Sequence, residues 1–163
     1  MTAPATLDDI RDLHSGVTYP GHLMEGCETA LLLFCAHWHG RQDAYWIADA
    51  GLVGTCVDVD GEKLAEMQAI YPAGWHYVEA DVFEFPVTNR GQQWDVVSLD
   101  PWTNQFNSCA LHIDLWCSLA RKLVVIGTGH DTKIEPPDGW RITDVRKRSD
   151  YNGGVYWTVL EPA

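Results

Sequence analysis

The sequence of 163 residues predicts an α/β fold, in which a mainly parallel sheet has helices on both faces and ends in a C-terminal antiparallel hairpin. Short apolar runs alternate with helix-like segments from residue 29 to residue 127, and such alternation builds parallel sheets because each strand reaches the next through a helix. The dipeptide Asn152-Gly153 separates two further strand-like runs and is a strong signal for a hairpin turn. Hydrophobic residues make up 46% of the chain, so it can bury a substantial core.

Five apolar runs are predicted to form the parallel strands, and two more form the hairpin. The first run has the length of a buried strand, although its periodicity alone is also compatible with a helix. The predicted parallel strands are 29–36, 52–58, 75–80, 94–99 and 122–127, and the hairpin strands are 140–148 and 155–160.

Capping residues border three of the four predicted helices. Thr6 and Asp60 are placed to cap the helices that follow them, and Gly51 and Pro72 are placed to end two of them. The predicted helices are 7–14, 42–50, 62–70 and 106–121, and the segment 15–26 is predicted to be a loop. Because no linker or repeat divides the chain, residues 1–163 are predicted to form one domain, with 1–28 as an N-terminal helix and loop extension.

The chain is strongly acidic, with 23 acidic and 11 basic residues and a formal net charge of −12. Nucleic acids are bound largely through phosphate neutralisation by Lys and Arg, so this deficit argues against a broad nucleic-acid interface while leaving a local basic patch open. The densest basic run is 141–148. Arg146 and Arg148 in that run are candidates for holding a substrate phosphate, with a solvated strand face as the alternative.

Several classes of protein are disfavoured by the sequence. No apolar stretch approaches the roughly 18 residues of a membrane span, and residues 1–12 lack a signal-peptide pattern, so a cytoplasmic protein without a membrane partner is predicted. The 5 cysteines include no Cys-x-x-Cys pair, so neither a disulfide framework nor a zinc site is expected. His37 and His39 form a His-x-His pair, but no further ligands stand at a recognisable spacing, so no metal is predicted.

Acidic residues end or directly follow three of the predicted strands. Asp58, Asp81 and Asp100 occupy these positions. In open α/β sheets a ligand binds beyond the carboxyl ends of the strands, at the point where the strand order reverses. The sequence therefore predicts a ligand site that is lined by these carboxylates.

Two segments carry a resemblance to a known family. The segment 53–65, which contains Val57-Asp58-Val59-Asp60, resembles the second strand of class I S-adenosylmethionine (SAM) methyltransferases, which have a Rossmann-like fold. The resemblance implies that Asp58 accepts hydrogen bonds from the ribose hydroxyls of SAM, with helix capping as the alternative. The segment 79–85 is similar to the next motif of the family. That similarity implies that Asp81 accepts from the adenine amino group and that Val82 packs against the ring.

A third segment resembles the motif that follows the fourth strand in these enzymes. Family members that act on exocyclic amino groups carry Asp/Asn-Pro-Pro-aromatic there, and this chain has the shorter Asp100-Pro101-Trp102, similar to some tRNA guanine-amino methyltransferases. The resemblance implies that Asp100 or its adjacent carbonyl takes the amino hydrogens of the acceptor and that Trp102 stacks on it. An ordinary Asp-Pro turn, with Trp102 covering the sheet, is the alternative.

The first motif of the family departs from its usual form. An acid and a Gly-rich turn are expected at 32–41, because the backbone there approaches the methionine part of SAM. In this chain Phe34 stands at the position of the acid, Ala36 and Trp38 replace two glycines, and Gly40 remains. The resemblance assigns Ala36 and Gly40 to cofactor binding.

The leading hypothesis is a SAM-dependent methyltransferase that acts on an amino group or similar nucleophile of an unidentified acceptor, with a nucleobase as one candidate. The alternative is a binding module that keeps the fold without the chemistry, which the altered first motif favours. An acidic mimic of nucleic acid is a third reading, suggested only by the charge.

Overall fold

The computed structural model describes residues 6–13, 19–36, 42–147 and 155–163. A sheet of seven strands runs through these residues in the order β3-β2-β1-β4-β5-β7-β6. The strands are β1 (Thr29–Leu33), β2 (Val53–Asp58), β3 (His76–Glu79), β4 (Trp94–Leu99), β5 (Ala120–Gly129), β6 (Trp140–Lys147) and β7 (Val155–Pro162).

The pairing of the strands confirms the predicted sheet. The first five strands are parallel to one another, and β7 is antiparallel to both β5 and β6. The order reverses between β1 and β4, because the chain moves outward through β2 and β3 before it returns to the other side of β1. The carboxyl ends of β1, β2 and β4 therefore meet at the position where ligands bind in open sheets.

Helices cover both faces of the sheet. One buried cluster joins α1, α2 and α3 to alternate residues of the strands, and a second cluster joins α4, α5 and α6 to the other residues. Among the described residues, no helix combines the length and the apolar character needed to cross a membrane. The helices are α1 (Leu7–Leu13), α2 (Gln42–Asp49), α3 (Gly61–Ile70), α4 (Phe85–Thr88), α5 (Phe106–Leu111) and α6 (Ile113–Leu119), and Gly21–Met24 and Thr103–Gln105 form short 3-10 helices.

The capping predictions are confirmed. The backbone N–H of Asp9 donates to Thr6 Oγ1 at 3.2 Å, while the N–H of Thr6 donates to the Asp9 carboxylate at 2.9 Å, and this reciprocal pair starts α1. Asp60 accepts from the N–H of Lys63 at 3.0 Å and starts α3. Gly51 ends the turn after α2 with a φ of 81°, a value that glycine adopts without strain.

The structure corrects some predicted boundaries. The helix predicted at 106–121 is wrong as one element, because the backbone leaves helical geometry at His112 (φ −107°, ψ 25°) and divides it into α5 and α6. The strand after it begins at Ala120 and extends to Gly129. The first strand ends at Leu33, because Phe34 has a φ of 59° and cannot continue it. The predicted Asn152-Gly153 turn lies outside the described residues.

Asp95, at the start of β4, holds three chain segments together. Its carboxylate accepts from the N–H of Glu28 at 2.7 Å and from Arg121 Nε at 3.0 Å. Burial acts to raise the pKa of this carboxyl, but the hydrogen bonds from Glu28, Arg121 and Thr29 and the charge of Lys122 outweigh it, so the pKa lies below its ordinary value. Asp95 is therefore most stabilising in its charged form.

We expect Asp95→Ala to lower the free energy of unfolding at pH 7 by about 1–3 kcal/mol, because the N–H groups of Glu28 and Thr29 and the side chain of Arg121 lose their acceptor. Since the folded-state pKa is lowered, this stabilisation is present above the unfolded-state pKa of about 3.9 and is lost as the pH falls through the folded value. Urea unfolding of both proteins from pH 7 to pH 3 should show the difference shrinking below about pH 4. A difference that persists unchanged at pH 3 would contradict this account.

Candidate functional site

A cavity of about 370 Å³ opens at the carboxyl ends of the parallel strands. It lies at the edge of the sheet where the sequence predicted a ligand site. Four of the predicted site residues line it: Asp58, Asp81, Val82 and Trp102. Three carboxylates line it, which suits a cationic ligand. The lining residues are Phe34, Asp58, Val59, Asp60, Asp81, Val82, Phe83, Trp102 and Gln105.

Asp58 links the ends of β1 and β2. Its Oδ2 accepts from the N–H of Ala36 at 3.0 Å, and its Oδ1 accepts from the N–H of Asp60 at 3.0 Å. Each carboxylate oxygen has two lone pairs, so one lone pair on each oxygen remains for a ligand. Because Asp60 caps α3, the helix-capping alternative for Asp58 is not what the structure shows.

Asp81 lines the cavity and follows the end of β3 by two residues. Its Oδ1 accepts from the N–H groups of Phe83 at 2.8 Å and Glu84 at 3.1 Å, so the side chain shapes the turn that leads into α4. The described residues give Oδ2 no hydrogen bond, and the side chain is exposed. Val82 is buried, 4% exposed, and adds an apolar wall to the same cavity.

The segment after β4 brings only one of its three predicted residues to the cavity wall. Trp102 lines the cavity and is 56% exposed, and its N–H donates to Gln105 Oε1 at 2.9 Å. Asp100 is 1% exposed, and its N–H donates to the Leu33 carbonyl at 3.2 Å, so it lies beside the end of β1. Pro101 is buried as well.

Phe34 occupies the position at which the family has an acid. Its ring lines the cavity and meets Phe83 edge-on, with the ring centroids 6.0 Å apart. A bulky residue rarely adopts its φ of 59°, and backbone strain of this kind clusters at functional sites. Gly40, together with Trp38 and the His37 and His39 pair, lies outside the described residues, so its cofactor assignment stays a prediction.

A buried polar network that was not predicted from the sequence lies below this edge of the sheet. Ser98 donates to Asp43 Oδ2 at 2.9 Å, so the Tyr19 hydroxyl, 2.8 Å from Ser98 Oγ, donates to Ser98 in turn. Asp43 and Ser98 are fully buried. Since Ser98 precedes Asp100 by two residues on β4, the network ties the strand that leads to Asp100 to the start of α2. The sequence signal was a serine among the apolar residues at the end of β4.

The structure also describes the surroundings of the buried thiol of Cys35 and of Arg146, the predicted phosphate-binding candidate. Cys35 is fully buried, and burial raises the pKa of its thiol well above the ordinary value, so the thiol stays protonated and is a poor nucleophile. Arg146 donates from Nε to Asp144 Oδ2 at 2.8 Å. The Asp144 carboxylate therefore offsets the positive charge of Arg146 that would attract a phosphate. Arg148 lies outside the described residues.

Comparison with solved structures identifies the fold. A SAM-dependent methyltransferase from Thiobacillus denitrificans, in complex with S-adenosylhomocysteine (SAH), matches with a TM-score of 0.62 at 12% identity over 100% of both chains. Another from Geobacter sulfurreducens, also with SAH, matches with a TM-score of 0.63 at 12% identity over 92% of this chain and 93% of the other. A Haemophilus influenzae protein classed provisionally as a methylase matches with a TM-score of 0.66 at 17% identity, over 86% of this chain and 84% of the other.

These matches confirm the expected resemblance at the level of the fold. The chain has the class I, Rossmann-like fold of SAM-dependent methyltransferases. No protein-family model matches the sequence, and no curated protein sequence is significantly similar to it.

Proposed function

We propose that this protein is a SAM-dependent methyltransferase that transfers a methyl group to an amino group or similar nucleophile of a still unidentified acceptor. The observation that carries the proposal is the convergence of Asp58, Asp81, Val82 and Trp102 on one cavity at the switch point of the sheet. These residues come from three different strand ends. Each matches a motif of the family to which the fold corresponds.

The cavity suits the adenosyl part of the cofactor. Asp58 has lone pairs left to accept from both ribose hydroxyls after it binds Ala36 and Asp60. The Oδ2 atom of Asp81 is available for an adenine amino group, and Val82 gives the ring an apolar contact. The three carboxylates of the cavity also favour a ligand with the positive charge of SAM.

Trp102 and Asp100 are assigned to the acceptor. SAM would supply an electrophilic methyl group to the lone pair of the acceptor nitrogen and would leave as SAH, and the methylated nitrogen would then have one proton to release. Trp102 offers an exposed ring against which the acceptor can pack, by stacking where the acceptor is planar and through its ammonium or hydrocarbon part where it is not. We assign Asp100 to the amino hydrogens and then to the proton, and because Asp100 is buried and outside the cavity wall, the acceptor amino group must reach beyond that wall. Orientation of the two reactants provides the rest of the rate enhancement.

A binding module without catalytic activity is the second candidate, and the first motif favours it. Phe34 brings no charge to the methionine end of the cavity, where the family has an acid. Calorimetric titration with SAM and SAH tests both candidates. Binding of SAH with transfer of label from SAM to pooled nucleic acids, proteins or metabolites supports the enzyme, whereas binding without transfer supports the module. If neither ligand binds, both proposals fail.

Replacing Trp102 by Ala should weaken acceptor binding. A group stacked on an aromatic ring contributes about 1–3 kcal/mol, so the apparent KM for the acceptor pool that receives the label should rise roughly 5- to 160-fold. The affinity for SAH should be nearly unchanged. The measurement is the initial rate of label transfer as the pool is diluted. Trp102→Phe, which keeps an aromatic face, is the control and should recover most of the loss. An unchanged KM in Trp102→Ala would remove Trp102 from the acceptor site.

A further inference from the structure

The edge strand β6 contains a β-bulge. Its register against β7 shifts between Ile142 and Asp144, so Thr143 is an extra residue. Side chains normally alternate between the two faces of a strand, and the bulge interrupts the alternation. As a result Ile142 and Val145, three residues apart, share one face of the sheet. Bulges at sheet edges often redirect side chains beside functional sites.

Both of these apolar side chains are exposed. Ile142 is 39% exposed and Val145 is 56% exposed, although both are β-branched hydrocarbons on an edge strand. They share their face with the α5–α6 helix layer, but those helices pack on β4 and β5. Edge strands are normally kept polar or charged to prevent unwanted association, so an apolar pair created by a bulge indicates a face that binds something.

The pair lines a groove of about 260 Å³. Ile134 adds a third aliphatic side chain, and the hydroxyls of Thr128 and Thr158 form a hydrogen bond with each other at 2.9 Å in its floor. Because these hydroxyls bind each other, covering them with an apolar group costs less than covering two unpartnered hydroxyls. We call the residues Thr128, Ile134, Ile142, Val145, Tyr156 and Thr158 the hairpin groove.

The hairpin groove continues toward the proposed acceptor site. Gly129, His130 and Thr132 border the hairpin groove, and the same three residues line a second cavity of about 310 Å³. That second cavity is also lined by Thr103, the residue directly after Trp102. The two cavities together therefore extend from the hairpin groove to the residue next to Trp102.

We propose that the hairpin groove binds the apolar part of the methyl acceptor, and that the acceptor is a small amine with an alkyl chain or hydrocarbon ring. This inference rests on the proposed function. Asp131 in the connecting cavity favours an ammonium group there over an anion, and this group loses a proton to solvent before its nitrogen accepts the methyl group. The aliphatic side chains of the groove match the hydrocarbon part.

The test uses propylamine, butylamine, pentylamine and hexylamine as probes. Each is titrated into the isotope-labelled full chain, and affinities and sites are read from NMR chemical shifts. The affinity should rise about fourfold for each added methylene, the value for transfer of a CH₂ group out of water. The shifts should fall on the hairpin groove. In Val145→Ser the increase per methylene should be at most half as large.

Val87→Ser is the matched control, because Val87 is 55% exposed on α4, away from the hairpin groove. It should leave the dependence on chain length intact. Equal dependence in Val145→Ser and wild type, or shifts outside the groove, would overturn the proposal. Self-association in sedimentation that Val145→Ser abolishes would assign the face to a second copy of the chain and also overturn it.

Calorimetry with SAH on the same preparations separates this proposal from the proposed function. Hexylamine binding in the hairpin groove without SAH binding would support an amine site and reject methyl transfer. SAH binding without any effect of amine chain length would reject the hairpin groove as the amine site and leave the proposed function standing.

Discussion

Replacing Asp58 by Ala is expected to weaken the binding of SAH by roughly 30- to 900-fold, which corresponds to the loss of about 2–4 kcal/mol from two charge-assisted hydrogen bonds. The side chain lies in the cavity with one lone pair on each oxygen still available, so both ribose hydroxyls can donate to it. Isothermal titration calorimetry of wild type and Asp58→Ala gives the ratio directly.

The same substitution also removes the acceptor for the N–H groups of Ala36 and Asp60, so a structural control is needed. Asp60→Ala is suitable because Asp60 lines the same cavity and caps α3 but has no assigned ribose contact. It should lower the melting temperature with at most a few-fold effect on SAH. If Asp58→Ala remains folded and binds SAH as tightly as wild type, the ribose assignment is wrong. Equal losses in both variants would point to cavity shape instead of the ribose contact.

Local rules were sufficient to predict much of the fold from the sequence. The caps at Thr6 and Asp60 and the stop at Gly51 each depend on residues within a few positions, and all three are confirmed. The strand-end positions of Asp58 and Asp81 follow from strand length alone. Because parallel strands end at one edge of a sheet, the sequence also predicted that these acids line one cavity.

Features that depend on distant residues were not predictable from the sequence. The network of Tyr19, Ser98 and Asp43 joins residues 79 and 55 positions apart, and no local pattern encodes such pairs. The β6 bulge exists only relative to its partner strand β7. The break at His112 interrupts a segment whose apolar pattern alone is compatible with one helix.

Replacing Asp100 by Asn should reduce the turnover number by about 100-fold or more, the lower end of the usual contribution of a positioned proton acceptor. Asn keeps the shape of the side chain but carries no charge and takes up no proton at neutral pH. Because Asp100 is buried beside the end of β1 and is not part of the cavity wall, the affinity for SAH should change by no more than about threefold. The measurements are label transfer at saturating SAM and SAH calorimetry.

A general loss of negative charge must be separated from the loss of this particular carboxylate. Asp114→Asn removes the same charge from an exposed position on α6 and should leave turnover unchanged. If Asp100 accepts the proton, raising the pH should not restore Asp100→Asn, because the missing group itself is absent at every pH. Recovery at high pH would show instead that the acceptor only needs to lose its proton to solvent. Equal label transfer by wild type and Asp100→Asn would remove Asp100 from the mechanism, leaving Trp102 and the cavity acids to act through binding alone.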